Sequence, residues 1–98
     1  MRVEFGDSDL DRLETDPGFT MGHGAAIVRA YRLRLQTLRG AKDERDLYAL
    51  KSLHFEKLKG QRAHQRSIRL NDQFRLIVEL HGTGAEKSVL VVGIEDYH

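Results

Sequence analysis

The sequence predicts an α+β fold, in which two N-terminal helices pack on one face of a small, mainly antiparallel sheet. Three observations predict it. Apolar residues recur at spacings of four, four and three between Ile27 and Leu38, as on one face of a helix. Residues 67–80 alternate apolar and polar side chains on both sides of a polar turn, as in a β-hairpin. Residues 88–94 form a continuous apolar run, typical of a strand inside a sheet.

Length and composition predict one cytoplasmic domain over residues 1–98. A chain of 98 residues is long enough to bury a single hydrophobic core. It has no cysteine, which excludes a disulfide framework, a thiol nucleophile and a cysteine-based zinc site. Acids interrupt the first residues, so they do not resemble a secretion signal, and no apolar run approaches the roughly 20 residues of a membrane span.

The chain begins with a short strand and a short helix. Val3 and Phe5 fall on one face of the predicted strand in residues 1–5. Asp7 or Ser8 can cap the helix that follows it, and the Asp-Pro-Gly sequence of residues 16–18 ends that helix.

The strongest helical pattern runs from residue 23 to residue 38. Gly40 is expected just beyond its end, and Asp43 can cap one or two further turns up to residue 50. The arginines of this helix form either a solvated helix face or an extension of a basic surface. Those outside the apolar stripe include Arg29, Arg32 and Arg39.

The apolar residues of the hairpin set its register. For both apolar sets to share one face, Ile68 must lie opposite Leu76, and the loop then spans residues 71–73. The same register places Arg69 opposite Arg75 on the other face. Like charges in such a pair are destabilising, on a scale of roughly 0.2–1 kcal/mol. The pair therefore indicates either a solvated face or an anion site.

The last strand completes the predicted sheet. A Gly-Thr-Gly turn at residues 82–84 precedes the apolar run of residues 88–94, which suits a strand covered on both faces or nearly so. The predicted order is one strand, two helices and four strands. With the helices on one side of the sheet, the other side remains for a ligand.

Charge is distributed unevenly along the chain. Residues 51–75 carry seven basic and two acidic side chains, whereas the whole chain carries 16 basic and 15 acidic ones. Such a concentration of like charge opposes folding by self-repulsion, so it indicates a polyanionic partner, most simply nucleic acid. The candidate phosphate-binding side chains of this segment are Lys57, Lys59, Arg62, Arg66 and Arg69.

Glu95-Asp96-Tyr97-His98 follows the last strand directly. A carboxylate, a phenol and an imidazole at one place provide groups for acid and base chemistry. The apolar strand before them is expected to anchor them, and the hairpin arginines are expected to lie beside them in the same sheet.

Three segments together resemble the host-inhibition-of-growth toxins (HigB) of the RelE/ParE superfamily of type II toxin–antitoxin systems. They are LHFEKLKG (53–60), SIRLNDQFRLIVEL (67–80) and the terminal EDYH (95–98). The resemblance implies a RelE-like microbial ribonuclease fold and a small, metal-independent endoribonuclease without a cofactor, which cleaves messenger RNA in the 30S decoding site of the ribosome. It also implies a helix-turn-helix antitoxin (HigA-like) as the partner.

The resemblance also implies roles for individual residues. Arg75 corresponds to the hairpin arginine that contacts the scissile phosphate, and Lys59 corresponds to the lysine of the Leu-Lys-Gly turn. The terminal catalytic group corresponds to Asp96, Tyr97 and His98.

The general base stays open between three residues. Relatives that read His-Pro-Leu-Lys-Gly carry a histidine where this chain has Glu56, and other relatives carry an acid there. His54 lies two residues earlier. Strand alternation would place both side chains on one face, so either can serve as the base. His98 is the third candidate, and it or Tyr97 can deliver the proton to the leaving group.

Two other functions remain open from the sequence. A toxin of the same fold can inhibit DNA gyrase without cleaving RNA, and a basic module of this kind can bind a partner without being toxic. An antitoxin for the basic segment is expected to carry opposite charge or to cover an edge of the sheet, and the charged case predicts salt-sensitive association.

Overall fold

The computed structural model describes residues 1–97, and three helices pack on one face of a five-stranded sheet within that range. The predicted α+β class is therefore confirmed. His98 lies outside the described residues. The strands are β1 (Arg2–Phe5), β2 (Glu56–Lys57), β3 (Gln65–Arg69), β4 (Phe74–His81) and β5 (Ser88–Asp96). The helices are α1 (Ser8–Thr15), α2 (Ala25–Gly40) and α3 (Glu44–Ala49).

The sheet has the order β1-β5-β4-β3-β2. Only β1 and β5 run parallel among the described strand pairs, and the other three pairs are antiparallel. The last strand thus lies inside the sheet, as its apolar sequence predicts. It is covered fully on one face only, since Val89 and Val91 are buried while Leu90 and Val92 are half-buried.

Helices α1 and α3 begin where their capping residues predict, whereas α2 begins at Ala25 without a side-chain cap. Asp7 caps α1, because its carboxylate accepts the backbone N–H of Leu10 at 2.9 Å. Asp43 caps α3 in the same way, through the N–H of Arg45 at 2.9 Å. The prediction for Gly40 was wrong by position: Gly40 is the last residue of α2 and does not lie beyond the helix.

The hydrophobic core lies between the helices and one face of the sheet. Tyr31 of α2 is fully buried within it, and its hydroxyl donates to the carbonyl of Leu10 in α1 at 2.7 Å. Burial also raises the pKa of this phenol above its ordinary value. The strands contribute a fully buried aliphatic layer: Ile68, Leu76, Val78, Val89 and Val91.

The hairpin has the predicted register. Ile68 pairs with Leu76, and Arg69 pairs with Arg75. The side chain of Asn71 closes the loop, since its Oδ1 accepts the backbone N–H groups of Gln73 at 2.8 Å and of Phe74 at 2.7 Å. This is the local hydrogen bonding that favours asparagine in turns.

The strand before the hairpin does not extend back to His54. β2 contains only Glu56 and Lys57, and a 3₁₀ turn over residues 51–53 precedes it. His54 ends that turn in the left-handed region, at φ 48° and ψ 49°. The expected strand alternation between His54 and Glu56 was therefore wrong, because His54 is not extended.

Within residues 1–97, no helix combines the length and the apolar character that a membrane span requires.

Candidate active site on the open face of the sheet

The open face is the side of the sheet opposite the helices. Residues that pair across neighbouring strands have their side chains on the same face of the sheet. Each set of paired residues therefore forms one row of side chains across the strands. One row joins Arg69, Arg75 and Glu95, and the next joins Glu56, Ser67, Ile77 and Gly93. A third row joins Gln65, Glu79 and Leu90. The open face thus carries charged side chains around the fully buried Ile77.

Arg75 lies near the middle of the charged row. One terminal nitrogen of its guanidinium, Nη1, is buried and has no hydrogen-bond partner among the described residues. The guanidinium carbon lies 5.7 Å from the ring centroid of Tyr97, within the range of a cation–π contact. Arg75 therefore offers a hydrogen-bond donor that the rest of the described chain leaves unused.

Tyr97 is held beside Arg75 by the backbone. Its N–H donates to the carbonyl of Gln73 at 2.6 Å, which extends the pairing of β4 and β5 beyond the last strand residue. Tyr97 is therefore anchored at the hairpin end of the open face, as expected for a segment that follows an apolar interior strand.

Arg69 sits across from Arg75, and its charge is partly compensated. Its guanidinium pairs with Asp72 of the hairpin loop. Its backbone carbonyl accepts the Nε–H of Arg34 from α2 at 3.0 Å. Burial, and then the positive charge of Arg69, lower the pKa of Arg34. Three guanidinium groups thus meet at this end of the molecule.

Arg62 crosses the open face from the turn between β2 and β3. Its two terminal nitrogens donate to the two oxygens of Glu95, at 2.9 and 2.5 Å. Its Nε donates to Gln65 at 2.9 Å. The hydrogen bond to Glu95 is the main cause that raises the pKa of Arg62 above its ordinary value, and Tyr97 contributes.

Glu79 lies one row further from the hairpin and is surrounded by polar side chains. Gln65 donates to it at 3.2 Å, His81 lies at 3.0 Å and His64 at 3.7 Å. These contacts lower the pKa of Glu79, with the Gln65 hydrogen bond as the largest cause. A continuous polar chain therefore runs from Glu95 through Arg62 and Gln65 to Glu79.

Four of the residues singled out in the sequence meet at one end of the open face. They are Arg62, Arg69, Arg75 and Tyr97. Glu56 lies on the same face at the outer strand, paired with Ser67. Glu56 and Arg75 are two strands apart and lie in neighbouring rows, so roughly 12 Å separates their Cα atoms. A glutamate and an arginine side chain together can bridge that distance.

Other predicted site residues lie elsewhere. Lys57 and Arg66 pair with each other, and Arg66 also pairs with the core residue Val78, so both belong to the helix side of the sheet. Arg66 donates to nearby backbone carbonyls, including that of Ala63 at 3.1 Å. The basic segment of the sequence is therefore divided between two faces and does not form one patch.

The terminal group is divided in the same way. Asp96 pairs with Phe74 on the helix side, and its Oδ2 accepts the side-chain amide of Gln73 at 3.0 Å. Lys59 is exposed at the start of the turn that carries Arg62, and His54 is exposed before β2. His98 lies outside the described residues.

Glu95 is a site residue that the sequence did not predict. It is the only acid in the row of Arg69 and Arg75, and it binds Arg62. Alternation along β5 carries the relevant signal, because residues 95 and 97 share one face while residue 96 faces the other. The prediction treated the terminal residues as one cluster and therefore missed that residue 96 faces away from residues 95 and 97.

The arrangement combines fixed positive charge, a phenol and a carboxylate around an open surface, which suits binding of a phosphodiester. Among residues 1–97, no group of three or more histidine, aspartate or glutamate side chains is placed to hold a metal ion.

Comparisons with known proteins agree with the fold and the resemblance. A family model described as the RelE-like toxin of the type II toxin–antitoxin system HigB matches residues 3–98. Among solved structures, the YoeB/ParE toxin from Agrobacterium tumefaciens is similar, with a TM-score of 0.64 and 20% sequence identity over 100% of both chains. At that identity the likeness concerns the fold. No curated protein sequence matches significantly.

Proposed function

This chain belongs to the HigB-like family of RelE-like toxins from type II toxin–antitoxin systems, and we propose that it is a ribosome-dependent endoribonuclease that cleaves translated messenger RNA. Family membership implies an antitoxin partner. The nuclease reaction, the ribosome and the residue roles below are the proposal.

The unused donor of Arg75 is the observation that carries the proposal. A buried guanidinium nitrogen without a partner is unfavourable, because the group has lost water and gained no hydrogen bond. A phosphate oxygen that displaces the groups covering this nitrogen on the open face would supply the missing acceptor. Tyr97 packs against the same guanidinium, so Arg75 is already oriented before RNA arrives.

The proposed chemistry is transfer of the phosphodiester to the neighbouring 2′-oxygen. A base removes the proton of the 2′-hydroxyl, the 2′-oxygen bonds to phosphorus, and the bond to the 5′-oxygen breaks as an acid protonates that oxygen. The products are a 2′,3′-cyclic phosphate and a 5′-hydroxyl. Arg75 neutralises the negative charge that builds up on the phosphate oxygens. Deoxyribose has no 2′-hydroxyl, so DNA is not cleaved.

The residues of the open face support a division of labour. Glu56 is the proposed base, since it faces the open side, whereas His54 is displaced from the strand. Tyr97 is a proposed proton donor, and His98 is a second one that the sequence places next to it. Lys59 and Arg69 add positive charge around the RNA backbone.

The small number of catalytic groups favours dependence on the ribosome. When the ribosome holds the message in the reactive geometry, the toxin supplies charge and proton transfer only. We therefore propose that free RNA is cleaved poorly and that translated RNA in the 30S decoding site is the substrate. The proposed antitoxin is a helix-turn-helix (HigA-like) protein.

The test is message cleavage in a purified translation system. We expect new 5′ ends on a translated reporter with the wild-type protein, and few or none when ribosomes are omitted. Arg75→Ala is expected to reduce the cleavage rate by roughly 10²- to 10³-fold, the usual effect of removing one preorganised donor. Arg29→Ala is the matched control, because Arg29 is an exposed arginine of α2 on the other side of the sheet.

Two outcomes would contradict the proposal. Equal rates of cleavage by the wild type and Arg75→Ala would show that Arg75 has no part in the reaction. An intact message together with inhibited DNA supercoiling would instead support the gyrase-directed alternative.

A further inference from the structure

The ion pair between Arg62 and Glu95 has the geometry of a bound phosphate. Two guanidinium nitrogens face two carboxylate oxygens, at 2.9 and 2.5 Å. Arginine binds carboxylates and phosphates with the same planar fork, so either anion fits the same donors. Glu95 thus occupies a position on Arg62 that a phosphate can also take.

The guanidinium of Arg62 is oriented independently of Glu95. Its third donor, Nε, binds Gln65 at 2.9 Å, and Gln65 in turn donates to Glu79 at 3.2 Å. These contacts come from β3 and β4, so they remain when the carboxylate of Glu95 leaves. Arg62 would then still present its two terminal nitrogens toward the open face.

The contact with Glu95 is easily exchanged. The side chains of Arg62 and Glu95 are 44% and 39% exposed, so water and salt screen their attraction. Such exposed pairs contribute little to stability. Glu95 also lies opposite Arg75, where its carboxylate opposes the approach of a phosphate to the unused donor.

We propose that Arg62, oriented by Gln65, forms a second phosphate subsite of the open face, and that Glu95 fills this subsite until a phosphate of single-stranded RNA displaces it. The inference rests on the proposed function, because it assumes that RNA binds this face. It adds that Glu95 weakens RNA binding by competing for Arg62. The opposite role, in which Glu95 helps binding by positioning Arg62, predicts the opposite sign.

The test is binding of a fluorescent single-stranded oligonucleotide with 2′-deoxy sugars, which prevents cleavage, at several salt concentrations. Glu95→Gln is expected to tighten binding roughly two- to fivefold, the range of an exposed ion pair. It is also expected to steepen the salt dependence by about 0.7 in log–log slope, because one more phosphate is contacted. Adding Arg62→Ala to Glu95→Gln should return the slope to the wild-type value.

Glu4→Gln is the matched control. Glu4 lies on the same face in β1, is paired with Arg2 at 3.8 Å, and its replacement changes the net charge equally. The proposal is overturned when Glu95→Gln weakens binding, when Glu4→Gln tightens it equally, or when no variant binds the oligonucleotide. Message cleavage on ribosomes is measured separately. If the wild type cleaves the message but Glu95→Gln does not change oligonucleotide binding, only this inference is contradicted. If Glu95→Gln binds more tightly but the wild type does not cleave, only the proposed nuclease activity is contradicted.

Discussion

The two faces of β4 use consecutive residues for opposite purposes. Leu76 and Val78 face the helices and are fully buried in the aliphatic core. Arg75 and Glu79 face the open side, where they lie among guanidinium, carboxylate and imidazole groups. Ile77 also faces the open side but is fully buried beneath those groups.

Neighbouring residues of β4 therefore have different roles: one side chain stabilises the core, and the next belongs to the candidate active site. The helix side gains free energy from apolar area removed from water. The open side gains little from its ion pairs, because they are partly exposed. Substitutions on the helix side should therefore affect folding first, and those on the open side should affect the proposed RNA binding and cleavage first.

The largest expected effect is on the helix side of β4. Leu76→Ala should lower the free energy of unfolding by about 2–5 kcal/mol, because it removes buried methyl groups and leaves a cavity. Arg75→Ala, one residue away, should change it by about 1 kcal/mol or less. Urea unfolding followed by circular dichroism measures both. Leu33→Ala, at a leucine that is 51% exposed, is the control. Similar losses of unfolding free energy for Leu76→Ala and Arg75→Ala would contradict the difference between the two faces of β4.

A smaller effect is expected where the helix side contains a polar group. Tyr31→Phe removes the hydroxyl that donates to Leu10 at 2.7 Å and leaves that buried carbonyl without this donor. The expected loss of unfolding free energy is about 1–2 kcal/mol. Tyr48→Phe serves as the control, since Tyr48 is 51% exposed. Equal Tm values for Tyr31→Phe and the wild type would show that water replaces the lost partner.

The smallest effect is expected on the open face, and it depends on pH. The contacts of Glu79 lower its pKa from the ordinary 4.5, so the folded state favours its ionised form. Its stabilising contribution is therefore present above pH 4.5 and is lost as the pH falls through the lowered value. We expect Glu79→Gln to be less stable than the wild type near pH 6, with the difference closing below pH 4.5.

Thermal unfolding at several pH values measures that difference. Glu86→Gln, at an exposed glutamate in the turn before β5, should show no such pH dependence. A constant difference between Glu79→Gln and the wild type at all pH values would mean that shape, and not ionisation, accounts for the effect.

The local elements were predictable because each depends on neighbours in sequence. The caps at Asp7 and Asp43 lie within three residues of the N–H groups that they bind. The register that pairs Arg69 with Arg75 follows from period-two alternation and a three-residue loop. The parallel pairing of β1 with β5 has no such local signal, because nearly the whole chain separates the two strands.

The candidate site was predictable in part. Of the terminal residues that were expected beside the hairpin arginines, Tyr97 lies beside Arg75, whereas Asp96 lies on the helix side and His98 is outside the described residues. The count of charges along the segment did not show that Lys57 and Arg66 lie on the other face, because strand alternation sets the face of each side chain. The position of His54 was wrong because a 3₁₀ turn replaces the expected strand.

The sequence by itself determined the fold class, the family resemblance and the hairpin, since these follow from side-chain periodicity and from segments read in order. Only the tertiary structure decided which charges meet. Arg62 and Glu95 are 33 residues apart, and their contact depends on how the turn after β2 crosses two strands to reach β5. The sequence gives the charge of each residue and the periodicity of its apolar side chains. The order of the strands and the course of the turn after β2 set the distances between the charges.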